Sequence, residues 1–301
     1  MKDSGRAEGF RTELALLLLC LAESRPAVLG IFLLRFLTAG AVGLTSVVSF
    51  PPSLLVGAAV WFCSVSFTYL YNGVTDVGED RANGSRRPIA RGALPVACAR
   101  RTAWALAVLA LCGGAALGPV MLAATACMIL LGYAYSVPGI ALKRRTPSTI
   151  AVVVASGALT YTAGWSSGTV PSSSALLVFS TAMCLWMGMV GAAAKDFSDA
   201  EGDARHGRRN WTVLWGRAVT ACIVSLSAVA IGAGLLAVAT VLDLPELLAP
   251  GAVVLTGALA LSAVALSARR GDSRARRRLP YRIFMITQYA AHLVTLHQPI
   301  A

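Results

Sequence analysis

The sequence has 301 residues, of which 56% are hydrophobic and 13% are charged, and its formal net charge is +12. The apolar fraction exceeds the roughly 45–50% that is usual for soluble proteins, so composition argues against a soluble enzyme and favours a membrane protein. The basic residues form short clusters between apolar runs, which suits lipid headgroups better than nucleic acid.

Nine apolar windows are long enough, or nearly so, to cross the roughly 30 Å hydrocarbon core of a bilayer as helices. They lie at about 27–48, 54–74, 102–117, 119–136, 149–166, 174–194, 218–241, 248–267 and 282–297. The sequence therefore predicts an all-α, multi-pass membrane protein in which residues 27–297 form a single transmembrane domain.

Residues 1–26 precede the first window and are expected to lie in the cytoplasm or along the membrane interface. Their apolar stretch ELALLLLCLAES is also compatible with the core of a signal peptide or with an extension of the first helix.

The lysines and arginines predict the orientation. Of the 26, 25 lie in the amino-terminal segment and in the loops after windows 2, 4, 6 and 8, while the other loops have none. Positive loops stay in the cytoplasm, so we expect a cell-membrane protein with its amino terminus and even-numbered loops on the cytoplasmic side. Cysteine and histidine are dispersed without ligand spacing, and no nucleic-acid-binding motif is present, so neither a zinc site nor a nucleic-acid partner is expected.

An acidic cluster follows the second window, in the stretch YNGVTDVGEDRANGSRRP. Asn72, Asp76 and Asp80 are spaced four apart, which brings their side chains onto one face of a helix. Stacked carboxylates repel each other unless a cation lies between them. Hard oxygen ligands favour Mg²⁺, which commonly shares its coordination shell with substrate phosphates.

A second acidic cluster, AAAKDFSDAEGDARHGRRNW, follows the sixth window and contains Asp196, Asp199 and Asp203. The two clusters resemble copies of one another, which indicates an internal duplication. The parallel positions are Asp76 with Asp199, Asp80 with Asp203, Gly84 with Gly207, and Arg86-Arg87 with Arg208-Arg209. Both clusters follow even-numbered windows, so they are expected on the same side of the membrane and able to face one cavity.

Carboxylates for metal beside arginines for phosphate are the groups needed to bind a diphosphate, and apolar helices beneath them suit a hydrocarbon tail. An isoprenyl diphosphate has both parts. A solvated salt-bridge network is the common alternative for a single acid beside arginines, but two duplicated clusters make it less favourable. Glu79 and Glu201 fall off the acidic faces and are expected to be solvated, and the arginine-rich stretch ARRGDSRARRRLPYR is expected to anchor lipid headgroups.

At these residues the sequence resembles the UbiA superfamily of intramembrane prenyltransferases. The stretches NGVTDVGED and DFSDAEGD resemble the family's two acidic motifs, and DRANGSRRPIARG resembles the loop that follows the first motif. A third stretch, YSVPGIALKRR, is similar to the tyrosine-and-lysine element of the homogentisate-type branch. Gly73 departs from the pattern, because an acid often follows the motif's asparagine, so no metal contact is expected at position 73.

The resemblance implies nine helices around a central cavity, with motif loops at about 72–101, 135–149 and 195–217. It implies two Mg²⁺ ions, an isoprenyl diphosphate and a small aromatic or quinone-precursor acceptor. The implied metal-binding residues are Asn72, Asp76, Asp80, Asp199 and Asp203, with Asp196 as a neighbour. The implied diphosphate-binding residues are Arg87, Lys143, Arg144 and Arg209, and Tyr135 is expected to shield or stabilise an allylic cation.

Arg35 lies inside the first window, where an ionisable side chain is costly and by default faces a polar cavity. We expect it to contact a carboxylate or phenolate of the acceptor, with snorkelling to the interface as the alternative. Two other functions remain open. A UbiA-type terpene cyclase would use the same metal motifs, and a transporter would place further polar residues in mid-membrane.

Overall fold

The computed structural model describes residues 2–41, 50–168, 173–267, 269 and 271–297. Over these ranges every regular element is helical, and one isolated backbone bridge joins Arg145 to Arg209. The predicted all-α class is confirmed.

In chain order, the helices of the described ranges are α1 (Lys2–Glu23), α2 (Pro26–Ala41), α3 (Pro52–Thr75), α4 (Val77–Ala82), α5 (Val96–Leu117), α6 (Pro119–Ser136), α7 (Thr146–Ser167), α8 (Ser174–Leu185), α9 (Ala192–Asp196), α10 (Ala200–Arg205), α11 (Trp211–Val241), α12 (Leu248–Leu266), α13 (Arg274–Arg277) and α14 (Leu279–His297). A π-helical stretch, Trp186–Gly191, joins α8 to α9, and short 3₁₀ turns occupy Leu142–Arg144 and Pro245–Leu247.

Six helical runs among the described residues are long and apolar enough to cross a membrane: α3, α5, α6, Ser174–Asp196, α11 and the run that contains α12. The end of α1, Glu13–Glu23, forms with α2 a pair bent by 74° that passes the same test together. Each predicted window falls on one of the longer helices. However, α7 and α14 are not among the six, because polar residues such as Thr160 and His292 lower their hydropathy. Both side chains are buried inside the bundle rather than facing lipid.

Eight of the longer helices described form a closed ring, and α5 packs beside it against α3 and α6. Going round it, α2 packs against α3, α3 against α6, α6 against α7, α7 against α8, α8 against α11, α11 against α12, α12 against α14, and α14 returns to α2. Helices α2 and α7 also make a close contact through small residues. A Cβ added at Gly164 would lie 2.1 Å from the Phe36 carbonyl oxygen, so glycine is required for this approach. The ring leaves a central space to which several helices contribute.

Helix α1 lies outside this ring. Its exposed leucines recur at i, i+3, i+4 and i+7, which puts them on one face of the helix. They are Leu14, Leu17, Leu18 and Leu21. The chain turns from α1 into α2 at Arg25, whose φ of 58° is a left-handed conformation. The first predicted window, 27–48, matches α2 only as far as Ala41, and residues 42–49 lie outside the described ranges.

Candidate active site

A cavity of about 700 Å³ lies within the helical ring. Its polar wall comes from helix ends and loops, and includes Asn72, Asp76, Asp80, Asp199, Asp203 and Tyr135. Its apolar wall comes from the middles of helices, and includes Phe32, Met128, Val152, Met187 and Met285. A charged mouth therefore leads into an apolar interior.

The first acidic segment is a helix, a hinge and a short second helix. Asp76, with φ −97° and ψ 11°, separates α3 from α4. Backbone hydrogen bonds nevertheless continue through the hinge, because the Asp76 N–H donates to the Asn72 carbonyl at 2.9 Å and the Asp80 N–H donates to the Asp76 carbonyl at 2.8 Å. The four-residue spacing of the three side chains is thereby kept. Helix α4 then ends in a Schellman motif, in which Gly84 has φ +60° and the Ser85 N–H reaches the Asp80 carbonyl at 2.8 Å.

The second acidic segment has the same build. Asp199, with φ −116° and ψ 1°, precedes α10, and the Asp203 N–H donates to the Asp199 carbonyl at 2.9 Å. Helix α10 also ends in a Schellman motif, with Gly207 at φ +72° and the Arg208 N–H 2.9 Å from the Asp203 carbonyl. The expected duplication is therefore present in the backbone as well as in the sequence.

Arg208 connects the two segments. Its guanidinium Nε lies 3.0 Å from Glu79 Oε2 and 3.6 Å from Asp203 Oδ1, and Nη2 lies 3.5 Å from Asp76 Oδ2. The side chain is largely buried. The prediction that Glu79 is solvated is wrong, because Glu79 lines the cavity and pairs with Arg208, whereas Glu201 is exposed as expected.

Lys143 approaches the same cluster from the loop after α6. Its ammonium group pairs with Asp76 Oδ1 and lies 3.8 Å from Glu79 Oε1. Burial by itself would raise the pKa of Asp76, but Lys143 and Arg208 outweigh it and hold that pKa below the usual value. Asp203 differs, because burial raises its pKa in spite of the neighbouring Arg208.

Arg87 clamps the first segment to α1. Its Nη1 donates to Asp80 Oδ2 at 2.8 Å, while its Nε lies 2.8 Å from Glu23 Oε1. Glu23 is fully buried and also accepts a hydrogen bond from the Ile89 N–H at 2.9 Å. Sequence reasoning missed Glu23, because no spacing rule connects it to a loop 64 residues further on.

The second segment is held by donors of its own. Asp203 Oδ2 accepts a hydrogen bond from Asn210 at 2.8 Å, and Asp199 Oδ1 accepts one from Arg274 Nη2 at 3.0 Å. Burial would raise the pKa of Asp199, but the hydrogen bond from Arg274 and the charge of Lys195 outweigh it and lower that pKa.

Four predicted site residues do not line the cavity wall: Lys143, Arg144, Asp196 and Arg209. Lys143 is turned towards the Asp76 carboxylate and buried beside it. Asp196 is buried at the end of α9. Arg144 and Arg209 are exposed, and their backbones pair through a 2.7 Å hydrogen bond from the Arg209 N–H to the Arg144 carbonyl. The other predicted residues, including Arg35, Arg87 and Tyr135, do line it.

Arg35 lies in the apolar part of the cavity. It is 1% exposed, its guanidinium donates to the Gln288 side chain, and it sits 5.3 Å from the Phe32 ring centre. Within the described residues, Nε and Nη1 have no hydrogen-bond acceptor. Arg35 therefore does not snorkel to the membrane interface. Behind it, His292 Nδ1 donates a 2.6 Å hydrogen bond to the Gln288 carbonyl, and His292 Nε2 forms a 2.6 Å hydrogen bond with the Tyr161 hydroxyl.

The sequence model of the UbiA prenyltransferase family matches residues 28–287, which include both acidic segments. The chain belongs to this family. Comparison with curated proteins gives no significant match.

Solved structures of UbiA homologues share the fold. A homologue from Archaeoglobus fulgidus, bound to GPP and Mg²⁺, superposes with a TM-score of 0.69 at 19% identity, covering 91% of this chain and 99% of that one. An apo homologue from Aeropyrum pernix K1 gives 0.65 at 16% identity, covering 88% and 95%. A digeranylgeranylglyceryl phosphate synthase gives 0.64 at 15% identity, covering 93% and 97%. With the apolar helical runs, family membership assigns the chain to the membrane.

The side chains at the mouth fit Mg²⁺ by their chemistry, because the atoms with which Asn72 and the four aspartates on the wall can ligate a metal are all oxygens. No three acidic, histidine or cysteine side chains in the described ranges are close enough to hold a metal as they stand. Each carboxylate is instead paired with a basic or amide group: Lys143, Arg208, Arg87, Arg274 or Asn210. A metal ion would bind these carboxylates by replacing their basic or amide partners.

Proposed function

We propose that this UbiA family member transfers an isoprenyl group from an isoprenyl diphosphate to an aromatic or quinone-precursor acceptor within the membrane. The observation that carries the proposal is the joining of two duplicated acidic segments by Arg208 at the charged mouth of one apolar cavity. An isoprenyl diphosphate matches this division, since its head is highly charged and its tail is hydrocarbon.

The residues proposed to hold two Mg²⁺ ions are Asn72, Asp76, Asp80, Asp199 and Asp203. Bound Mg²⁺ would neutralise the diphosphate and make it a better leaving group. Asp196 is kept as a neighbour of this set because it lies outside the cavity wall. The proposal draws support from the GPP and Mg²⁺ bound to the Archaeoglobus homologue of the same fold.

Arg87 and Arg208 are proposed to bind the diphosphate once their carboxylate partners bind Mg²⁺ instead. A guanidinium matches two phosphate oxygens at once, so it stabilises the charge that develops when the C–O bond breaks. Lys143, now paired with Asp76, is assigned the same role. Arg208 replaces Arg209 in the proposed diphosphate-binding set. Arg209 is exposed, as is Arg144.

Both electrons of the broken C–O bond leave on the diphosphate, and an allylic cation remains. Tyr135, on the cavity wall, would lie beside the cation. A carbon of the acceptor ring donates its electron pair to the cation, a carbon–carbon bond forms, and the ring then loses a proton, which the released diphosphate accepts. The apolar interior keeps water from trapping the cation. We further propose that nine helices cross the membrane, that α1 lies along its interface, and that the motif loops face the cytoplasm.

Arg35 is proposed to bind the acceptor. A buried guanidinium without an anionic partner is unfavourable, and a carboxylate or phenolate would supply that partner with matching geometry. Arg35 lies about 14 Å along α2 from Pro26, since each helical residue adds about 1.5 Å. The acceptor would therefore enter the apolar interior with its anionic group leading.

Incubation of the purified protein with Mg²⁺, several prenyl diphosphates and a panel of phenolic acids tests this function. Mass spectrometry is expected to detect a prenylated acceptor, and the product should vanish when the acceptor is omitted. Cyclic hydrocarbon released without any acceptor would instead identify a terpene cyclase. No turnover of any prenyl diphosphate would remove the proposal.

A further inference from the structure

The loop between α12 and α14 brings an arginine into the mouth of the cavity. Arg274 Nη2 lies 3.0 Å from Asp199 Oδ1, and Nη1 donates to the Asn83 carbonyl. One guanidinium therefore contacts both acidic segments from a third part of the chain. This contact does not fit the expectation that the arginine-rich stretch anchors lipid headgroups.

The backbone around Arg274 is shaped for this contact. Ser273 caps α13 by accepting a hydrogen bond from the Arg276 N–H at 3.3 Å, which starts a helical turn at Arg274. On the receiving side, a Cβ added at Gly202 would lie 1.8 Å from Asn83 Oδ1, so α4 and α10 meet without an intervening side chain. Asn83 and Asp199 are thereby brought within reach of a single guanidinium.

The four arginines at positions 274 and 276–278 divide into two groups. Arg274 and Arg278 line the cavity together with the acidic segments. Arg276 and Arg277 do not, and they pair at the surface with Asp272 and Glu201. A lipid-headgroup anchor would have no reason to direct Arg274 inward at the Asp199 carboxylate.

We infer that Arg274 is a diphosphate-binding residue, supplied by a third segment and held by Asp199 until substrate arrives. This inference rests on the proposed function. Two of the five N–H groups of a guanidinium suffice for the contacts with Asp199 and Asn83, so the others remain available to phosphate oxygens at the cavity mouth. Because Arg274 bridges the two segments, its contact with the diphosphate would also fix their separation.

The test is calorimetric titration of inorganic pyrophosphate into the purified full chain in excess Mg²⁺, with the parent, Arg274→Gln, Arg274→Lys and Arg276→Gln compared. Loss of a charge-assisted hydrogen bond predicts that Arg274→Gln weakens binding by about tenfold or more. Arg274→Lys is expected to recover part of this loss, because it keeps the charge but cannot reach Asp199 and Asn83 together. Arg276→Gln removes a positive charge from the same loop, and its affinity for pyrophosphate should stay within about twofold of that of the parent.

Equal affinity of Arg274→Gln and the parent would overturn the inference, as would equal losses in Arg274→Gln and Arg276→Gln, which would indicate a general effect of loop charge. A thermal unfolding profile like that of the parent confirms that Arg274→Gln is folded. If the parent itself does not bind pyrophosphate in Mg²⁺, the proposed function fails rather than the assignment of Arg274 alone.

Discussion

Arg208 Nη2 lies 3.5 Å from Asp76 Oδ2, although 132 positions separate these residues in the chain. The same guanidinium lies 3.6 Å from Asp203 Oδ1, so it touches an aspartate of each acidic segment. The expected pairing of Arg86-Arg87 with Arg208-Arg209 is off by one position, since Ser85 follows Gly84 where Arg208 follows Gly207. The residue that joins the two segments therefore has no arginine counterpart in the first segment.

Replacement of Arg208 by Gln should lower prenyl-diphosphate turnover by about a hundredfold or more, because a preorganised donor to the leaving group is lost. It should also lower the melting temperature, since buried Asp76 and Asp203 lose a cationic partner. Steady-state kinetics and thermal unfolding measure the two effects.

The neighbouring variant Arg209→Gln is the matched comparison, because Arg209 is exposed. Its activity should stay within about threefold of the parent. Arg208→Lys keeps the positive charge but not the guanidinium, so it separates the effect of lost charge from the effect of lost hydrogen bonds. A larger loss in Arg209→Gln than in Arg208→Gln would contradict the geometry of the site.

Replacement of Arg35 by Leu should raise the KM for an anionic acceptor by about tenfold or more, since the interaction lost is a charge-assisted one. The KM for the prenyl diphosphate should change little, because Arg35 lies in the apolar part of the cavity. Kinetics with the acceptor and the diphosphate varied in turn measure both values. Equal changes in the two constants would show that Arg35 acts through the fold and would remove its role in acceptor binding.

The predicted orientation can be tested with single cysteines at exposed positions, after replacement of the exposed native Cys112, Cys127 and Cys222. A membrane-impermeant thiol reagent applied to intact cells should label Asp243→Cys, in the loop between α11 and α12. It should label Arg86→Cys only after the membrane is permeabilised. Labelling in the opposite order would reverse the orientation.

Apolar windows located the longer helices and several of their starts, since the fourth, sixth and eighth windows begin at the first residues of α6, α8 and α12. The third window was expected from 102, yet α5 begins at Val96, because Arg100 and Arg101 face outward and do not interrupt a helix. The seventh window, from 218, begins just after Gly216, whose φ of 78° and ψ of 167° break α11. It therefore misses only the short first part of α11, which the Asn210 side chain caps by accepting a hydrogen bond from the Val213 N–H at 2.9 Å. Caps and outward charges are thus missed when apolarity alone is counted.

Spacing predicted the aspartates better than their basic partners. Four-residue intervals brought Asp76 and Asp80 to the cavity wall, as they did Asp199 and Asp203. Spacing alone could not separate Arg208 from Arg209, but Gly207 offers a signal. A glycine that ends a helix in a Schellman motif folds the next residue back against that helix, and here the next residue is Arg208.

Other contacts had no signal in the sequence. Glu23 reaches Arg87 from the end of α1, and Arg274 reaches Asp199 from the loop before α14. Both pairings depend on how distant helices meet, and a single sequence contains no pattern that specifies this.

The most direct test of the central claim is release of diphosphate from geranyl diphosphate by purified parent, Asp76→Asn, Asp199→Asn and Asp243→Asn proteins, each in Mg²⁺ and in EDTA. Asp243 lies in a distant loop and serves as the control. We predict Mg²⁺-dependent release by the parent and by Asp243→Asn, and release below about 1% of the parent rate by the two other variants, because loss of a metal ligand removes several kcal/mol of transition-state stabilisation. Release by Asp76→Asn or Asp199→Asn at the parent rate, or release by the parent in EDTA, would contradict the joint action of the two acidic segments on one diphosphate.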